Sequence, residues 1–344
     1  MEIKYQNEAY KRKRAIRSAL IFVIFVCLLL LSLVISMNTG YTRLSVWDTF
    51  RTLFGSGSAK ENLILFDLRL PRIVLSILVG AGLATSGCII QGITKNPLAD
   101  PGLLGINAGA GLMVVLFVLF VGTKSFLAVF TLPYLALIGA VIAAILIYTL
   151  AYKRYKGVSP IRLILTGVAV HAGISAFTTL LVVKMDETQY EFVATWQAGS
   201  VWGTNWLFVL SLLPWLLVLL PYALYKARTL DVLNLGDDPA LGLGAPVEKE
   251  RRKLLFTAVA LAASCVAVSG NISFVGLLAP HIARRLVGPK HSILLPTAAV
   301  AGGVLLSAAD TVARVIVQPS EIPAGLMVAI LGAPYFLYLL AKSK

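Results

Sequence analysis

The chain has 344 residues, of which 58% are hydrophobic and only 13% are charged, and its formal net charge is +14. This composition excludes a water-soluble globular domain, in which about 25% of the residues are charged. A strongly basic chain can bind nucleic acid, but here Lys and Arg are concentrated in a few loops between apolar stretches, which argues against that function.

Apolar stretches of membrane-spanning length recur along the whole chain. A helix that crosses a bilayer needs about 20 mostly apolar residues. We predict an all-α polytopic membrane protein whose tightly packed helices, about ten by this length criterion, lie near residues 16–36, 73–93, 103–121, 132–151, 161–183, 206–225, 254–271, 273–287, 294–315 and 322–341. No polar stretch is long enough to form a soluble core. Residues 1–15 are therefore predicted to be a tail, and residues 16–344 a single transmembrane domain.

The distribution of basic residues predicts the orientation of the chain. Lys and Arg are concentrated in the N-terminal tail and in alternate loops, and cytoplasmic loops carry the excess of basic residues in membrane proteins. Both termini are therefore predicted to be cytoplasmic. The first apolar stretch is too long for a signal peptide and lacks an A-x-A-like cleavage site, so we predict that it is retained.

Residues 69–105 combine an arginine pair, a helix rich in small residues and a loop broken by prolines, with the sequence RLPRIVLSILVGAGLATSGCIIQGITKNPLADPGLLG. Arg69 and Arg72 are predicted at the outer end of the second helix. There they are either anchors that snorkel to the interface or functional charges. Each loop proline disfavours helix at the residue before it, and Asp100 is predicted to cap the third helix.

The longest predicted cytoplasmic loop, at about 226–253, mixes acidic residues, leucines and glycines. Asn234 or Asp237 can cap a short helix there, and the glycines can end it. Two short surface helices with exposed leucines are typical of a contact site for another protein. An ordinary connecting loop is the alternative, and composition alone does not decide between them.

Residues suited to catalysis or metal binding do not converge in the sequence. The three cysteines and three histidines lack the spacing of a zinc site, and the chain has no G-x-x-x-x-G-K-[ST] phosphate-binding loop. Asp310 and Arg314 lie four residues apart in the ninth helix, a spacing that allows a side-chain pair, and we interpret Asp310 as part of a structural ion pair. No enzymatic activity and no bound cofactor are predicted.

Six motifs in order resemble the permease subunits of ATP-driven importers for iron-siderophores and cobalamin, the FecCD-type family. The motifs are RLPR, KNPLADPGLLG, LGDDPALGLGAPVEKER, SGNISFVGLLAPHIARRLVG, LLPTAAVAGGVLLSAADTVAR and PSEIPAGLMVAILGAPYFLYLL. The resemblance covers nearly the whole chain after the first helix. It implies a ten-helix permease of the bacterial plasma membrane that translocates an iron(III)-siderophore, cobalamin or haem by ATP-driven alternating access.

The resemblance also implies the partners of the chain. A second permease subunit, either the same chain or a sibling, would complete the pathway. Two cytoplasmic ATPase subunits would bind ATP and Mg and hydrolyse the nucleotide. A substrate-binding protein would deliver the cargo from outside.

The resemblance further assigns candidate site residues. The outer arginines Arg69, Arg72 and Arg314 would receive glutamates of the binding protein. Ser159 and Pro160, together with Asn96 and Pro97, are assigned to an inner gate or to the pathway. The loop that fits a groove of the ATPase would comprise Leu235, Gly236, Asp237, Asp238, Ala240, Leu241, Gly242, Leu243, Gly244 and Val247.

The main alternative is a secondary transporter driven by a proton or sodium gradient. Such a protein would need carboxylates near the middle of the membrane as an ion relay, and only Asp310 comes near that depth. A channel would need a selectivity filter or a charged ring, and the sequence shows neither.

Overall fold

The computed structural model describes residues 2–40, 42, 44–122, 126–154, 157–317 and 321–342, which are almost entirely helical. The helices are α1 (Glu2–Asn38), α2 (Val46–Leu53), α3 (Ala59–Asn62), α4 (Leu70–Thr94), α5 (Ile106–Val121), α6 (Phe126–Ala151), α7 (Pro160–Val182), α8 (Glu187–Gln197), α9 (Trp206–Tyr225), α10 (Ala227–Asn234), α11 (Asp237–Gly242), α12 (Val247–Ser269), α13 (Val275–Val287), α14 (His291–Ile316) and α15 (Ala324–Lys342). A π-helical stretch, Leu63–Arg69, precedes α4, and a 3₁₀ turn, Pro101–Leu104, precedes α5. The strands β1 (Tyr152–Lys153) and β2 (Gly157–Val158) form an antiparallel pair.

Every predicted apolar stretch falls on a helix. In the described part of the chain, seven helical segments are long and apolar enough to cross a membrane, whereas α5 and α15 are shorter apolar helices. The 13-residue helix α13 is shorter still. Its apolar side chains are buried against α4 and α14, so it has the sheltered position expected of a short segment at membrane depth. Helices α2 and α8 were not predicted.

Helix α4 is the central helix of the bundle and packs against α12, α13 and α14. Its closest approach to α14 depends on two glycines, because a Cβ atom at Gly80 would overlap the carbonyl oxygen of Gly302, and the reverse also holds. Lipid provides no hydrophobic force between helices, so close packing at small residues holds such bundles together. The small residues noted in the sequence therefore form the main helix–helix contact.

The segment before α4 differs from its prediction. The second predicted span was expected at 73–93, but helical residues run from Ala59 through the π-helical stretch into α4. Pro71 is the second residue of α4, and in a regular α-helix its ring would clash with the carbonyl four residues earlier. A π-helical turn, with its wider i→i+5 hydrogen bonds, lets the helix continue past this proline. Arg69 and Arg72 consequently lie within a helical segment rather than at its end.

Asp100 caps a different element from the one predicted. Its Oδ1 accepts a hydrogen bond from the N–H of Gly102 at 2.6 Å and so caps the 3₁₀ turn Pro101–Leu104. Helix α5 begins after Gly105, which provides no side-chain cap. Burial raises the pKa of the Asp100 carboxyl to about 6, because desolvation disfavours the charged form.

Candidate functional site

Two short helices, α10 and α11, connect α9 with α12 at the end of the bundle that contains Lys95. We call residues 235–247 the knob. Three leucines of the knob point outward, with Leu235 63% exposed, Leu241 59% and Leu243 67%. Gly236 forms the turn between α10 and α11 at a φ of 125°, a conformation that glycine adopts without steric cost. An apolar patch of this kind on a polar loop is typical of a protein contact site.

Not every residue assigned to this loop can reach a partner. Asp237, Asp238, Gly242 and Gly244 are exposed together with the three leucines, whereas Ala240 and Val247 are buried. Ala240 and Val247 belong to the loop but do not contribute to its exposed surface, because both side chains pack inward in the core of the bundle.

Asp237 fastens the knob to two long helices. Its Oδ1 accepts hydrogen bonds from Arg251 Nη2 of α12 at 2.7 Å and from Lys95 Nζ, just beyond α4, at 3.2 Å. The hydrogen bond from Arg251, supported by Lys95, holds the pKa of the Asp237 carboxyl below its usual value. The expected capping role is wrong, since Gly236 occupies the N-cap position of α11 and no side chain caps that helix.

Helix α10 is fastened to α14 by a second carboxylate. Asp231 Oδ1 accepts a hydrogen bond from the backbone N–H of His291 at 2.8 Å and lies 2.7 Å from the Nδ1 atom of the same residue. Lys226, just before α10, donates to Glu250 of α12 at 2.7 Å. These polar contacts join the two short helices to α4, α12 and α14.

Arg69, Arg72 and Arg314 cluster at the opposite end of the bundle, but they are buried, with exposed fractions of 6%, 8% and 6%. Arg72 donates its Nε and Nη2 to Asp310 at 3.0 and 2.7 Å, and its Nη1 to Glu321 at 2.6 Å. Arg314 Nε lies 3.3 Å from Asp310 Oδ2, as their spacing in the sequence predicts.

The remaining contacts of this arginine cluster also lie within the chain. Arg69 donates to the carbonyl oxygens of Met37 and Thr42, and Arg314 donates to the Ser36 hydroxyl. The three guanidinium groups therefore already hold oxygens of this chain and do not form an exposed surface. A carboxylate of another protein would reach Arg72 by displacing Glu321. A docking role for the three arginines stays a prediction.

The residues assigned to an inner gate lie near the knob end. Asn96 Oδ1 accepts a hydrogen bond from the N–H of Leu98 at 2.9 Å, which closes a turn around Pro97. Ser159 occupies the N-cap position of α7 without a side-chain capping bond, and Pro160 is the first residue of that helix. The side chain of Pro160 lies outside the described residues. A gate at these positions also stays a prediction.

A polar cavity of about 470 Å³ opens on the face formed by α5, α7 and α8. Asn107 of α5 donates a hydrogen bond to Asn271, which lies in the break between α12 and α13. The residues that line the cavity are Asn107, Ala108, Gly111, His171, Ser175, Thr178, Thr179, Val182, Tyr190, Trp196, Gln197 and Asn271. Among these described residues the polar groups are amides, hydroxyls, an indole and an imidazole, and none is a carboxylate, Lys or Arg.

This cavity is not predicted from the sequence of any single segment. Its members come from four separate segments, and His171 taken alone carried no signal. One pattern could have found it: His171, Ser175, Thr178 and Thr179 recur at the three- and four-residue spacing that places side chains on one face of a helix. A polar stripe of this kind is costly against lipid, which predicts that this face of α7 meets water or protein.

Residues 28–342 match the model of the FecCD transport family. The chain belongs to the FecCD transport family. It is 52% identical over 314 residues to the iron(3+)-hydroxamate import system permease protein FhuG of Bacillus subtilis (strain 168), covering 90% of this chain and 93% of FhuG. It is 39% identical over 323 residues to the Fe(3+) dicitrate transport system permease protein FecD of Escherichia coli (strain K12), covering 94% of this chain and 98% of FecD.

A solved structure has the same fold. It is an inward-facing conformation of a metal-chelate type ABC transporter, 31% identical, with a TM-score of 0.82 over 94% of this chain and 99% of the other. Membership of the FecCD family confirms the resemblance that the six motifs indicated. It identifies the chain as a multi-pass permease of the ATP-driven importer class rather than a secondary transporter or an enzyme.

Proposed function

We propose that this chain is the permease subunit of a bacterial plasma-membrane ABC importer that carries ferric hydroxamate complexes. The uncharged lining of the polar cavity is the observation that supports this cargo. Three monoanionic hydroxamates neutralise Fe³⁺, so the complex has no net charge and offers many oxygen atoms to hydrogen-bond donors. Ferric citrate complexes are anionic and would favour basic side chains. The 52% identity to FhuG, an iron(3+)-hydroxamate import system permease, supports the same class of cargo.

We infer that a second permease subunit, identical or a sibling, covers the polar face of α7. This helix exposes apolar side chains such as Leu165 and Phe177 beside its polar stripe. Polar groups facing lipid are unfavourable, whereas a cavity shared by two subunits would keep them hydrated. Two cavities of this size facing each other would form a pathway wide enough for a chelate, in the usual range for ligand sites of about 300–1,000 Å³.

The mechanism that fits this arrangement is alternating access. A loaded binding protein docks at the end that contains Arg72, and two ATPase subunits, which bind ATP and Mg, contact the knobs at the other end. Nucleotide-driven closure of the ATPase pair moves each knob, and Asp237 and Asp231 pass this movement to α4, α12 and α14. Asn96 and Ser159, close to the knob end, are then placed to open or close the inner mouth.

Cysteine labelling tests the orientation on which this mechanism depends. Lys60 and Lys249 are both exposed and lie at opposite ends of the bundle. In a chain without native cysteines, a Lys60→Cys variant is expected to react with an impermeant maleimide in intact cells. A Lys249→Cys variant is expected to react only after permeabilisation. The reverse pattern would contradict cytoplasmic termini and the placement of both partners.

Uptake of iron complexes tests the cargo. We expect Ser175→Asp to lower ferric hydroxamate uptake by about tenfold or more, because a neutral complex strips water from the new carboxylate and leaves it unpaired. Ser175→Asn, which keeps the site neutral, serves as the matched control. The measurement is radioactive iron uptake by cells with the complete importer.

Two results would contradict the proposal at different levels. Uptake of ferric citrate but not of ferric hydroxamate by the wild type would overturn the cargo. Uptake that survives ATP depletion but stops when the ion gradient collapses would overturn the ABC mechanism itself.

A further inference from the structure

An apolar groove of about 350 Å³ lies on a different face of the bundle from the polar cavity. Its walls come mainly from α6 and α12, with Trp215 of α9 closing one side. Val141 and Ile145 of α6 and Phe256 of α12 are exposed at its mouth. The neighbouring exposed positions of α6 are also aliphatic, so this is the kind of surface that faces lipid acyl chains.

One cation stands at the end of this groove. Arg252 contributes to the lining and is exposed. In the described part of the chain it forms no ion pair or hydrogen bond, although both of its neighbours do. Arg251 is bound to Asp237 at 2.7 Å, and Lys253 lies 3.4 Å from Glu250.

The charges around Arg252 leave it free for an external anion. Glu248 is the nearby carboxylate, since it and Arg252 line the same small adjoining cavity. Glu248 lies 3.8 Å from Arg251 Nη1, and among the described residues no ion pair joins Glu248 to Arg252. The guanidinium of Arg252 beside the apolar groove is complementary to an amphiphile that has an anionic head group and a hydrocarbon tail.

We propose that this groove binds an anionic phospholipid, with one acyl chain between α6 and α12 and the phosphate on Arg252. Guanidinium groups bind phosphate through paired N–H donors, and basic pockets between transmembrane helices hold anionic headgroups. The site depends on the chain spanning a membrane and not on the identity of the cargo.

Lipid binding to the assembled importer tests the proposal. Purified complex in neutral detergent is titrated with phosphatidylglycerol and, separately, with phosphatidylcholine, and retained lipid is counted by native mass spectrometry. We expect phosphatidylglycerol to bind more tightly and Arg252→Gln to weaken its binding about fivefold, the contribution of one basic residue at a membrane surface. Arg228→Gln removes another exposed charge, on α10 and outside the groove, and is expected to have no effect.

A second variant tests the apolar part of the site. Ile145→Trp fills the groove from an exposed position and is expected to lower retention of both lipids without impairing assembly. Equal binding of the two lipids, unchanged phosphatidylglycerol binding in Arg252→Gln, or unchanged retention in Ile145→Trp would each overturn the proposal. Ferric hydroxamate uptake is a separate measurement, so failure of the lipid site is distinguishable from failure of the proposed cargo.

Discussion

Replacing Asp310 with alanine is expected to destabilise the folded permease by about 3–5 kcal/mol, the usual cost of removing one partner of a buried ion pair. Asp310 is 1% exposed and accepts hydrogen bonds from Nε and Nη2 of Arg72. Its Oδ2 lies 3.3 Å from Arg314 Nε. Without it, Arg72 keeps its ion pair with Glu321, and Arg314 loses the carboxylate that lies 3.3 Å from its Nε. The measurement is the unfolding midpoint and the yield of monodisperse protein in detergent.

Glu321→Gln provides the matched control for this prediction. The Glu321 side chain is 31% exposed and contacts the same arginine at 2.6 Å. A partly exposed ion pair is worth at most about 1 kcal/mol, so this variant is expected to fold almost normally. If Asp310→Ala is no less stable than Glu321→Gln, the buried cluster does not hold α4 to α14.

The same cluster changes how docking of the binding protein must be tested. Charge reversal at Arg69 and Arg72 would place carboxylates in a buried site beside Asp310 and Glu321. Loss of uptake in that variant would therefore report misfolding of the permease and not impaired docking of the binding protein. Glu321→Gln avoids this difficulty, because it frees Arg72 Nη1 while Asp310 keeps the arginine paired. Higher affinity for the binding protein in this variant would indicate that an incoming carboxylate competes with Glu321.

The sequence predicted elements whose signal is local. Long apolar runs located the helices. Of the two alternatives left open at 226–253, the structure has the two short helices with outward leucines. Burial of the arginines could not be predicted in this way, because Arg72 and its partner Asp310 are separated by 238 positions in the chain. A charge near a predicted helix end has the same sequence pattern whether it faces water or a distant carboxylate.

The roles of Asp237 and Asn271 show a second limit of sequence reasoning. Asp237 is of a residue type, and at a position, that favour a helix cap. Its carboxylate instead binds Arg251 and Lys95, because the packing of α4 and α12 brings those two cations beside it. Asn271 lies at the junction of the predicted helices 254–271 and 273–287, and nothing in its own segment indicates a partner. Its hydrogen bond to Asn107 depends on the same packing, so the polar cavity is a property of the bundle rather than of any single segment.

Changes in the knob are expected to stop transport for two separable reasons. Leu241→Asp should abolish ATPase assembly, because burying an unpaired carboxylate at the contact costs a few kcal/mol, and each 1.4 kcal/mol lowers affinity about tenfold. Leu241 is 59% exposed in the free chain, so the substitution should leave membrane insertion intact. Leu241→Met, which keeps the apolar surface, is the matched control, and co-purification of the ATPase is the measurement.

Asp237→Ala is expected to separate binding from transmission. The exposed leucines remain, so the ATPase should still co-purify and hydrolyse ATP. Uptake should fall severalfold, because the knob has lost its bonds to Arg251 and Lys95 and moves without displacing α12 and α4. The double change Asp237→Arg with Arg251→Asp restores an opposite-charge pair and should recover part of the uptake. Full uptake in Asp237→Ala would show that the buried contacts of the knob are sufficient to transmit the movement. Loss of ATPase binding would place Asp237 in the contact surface itself.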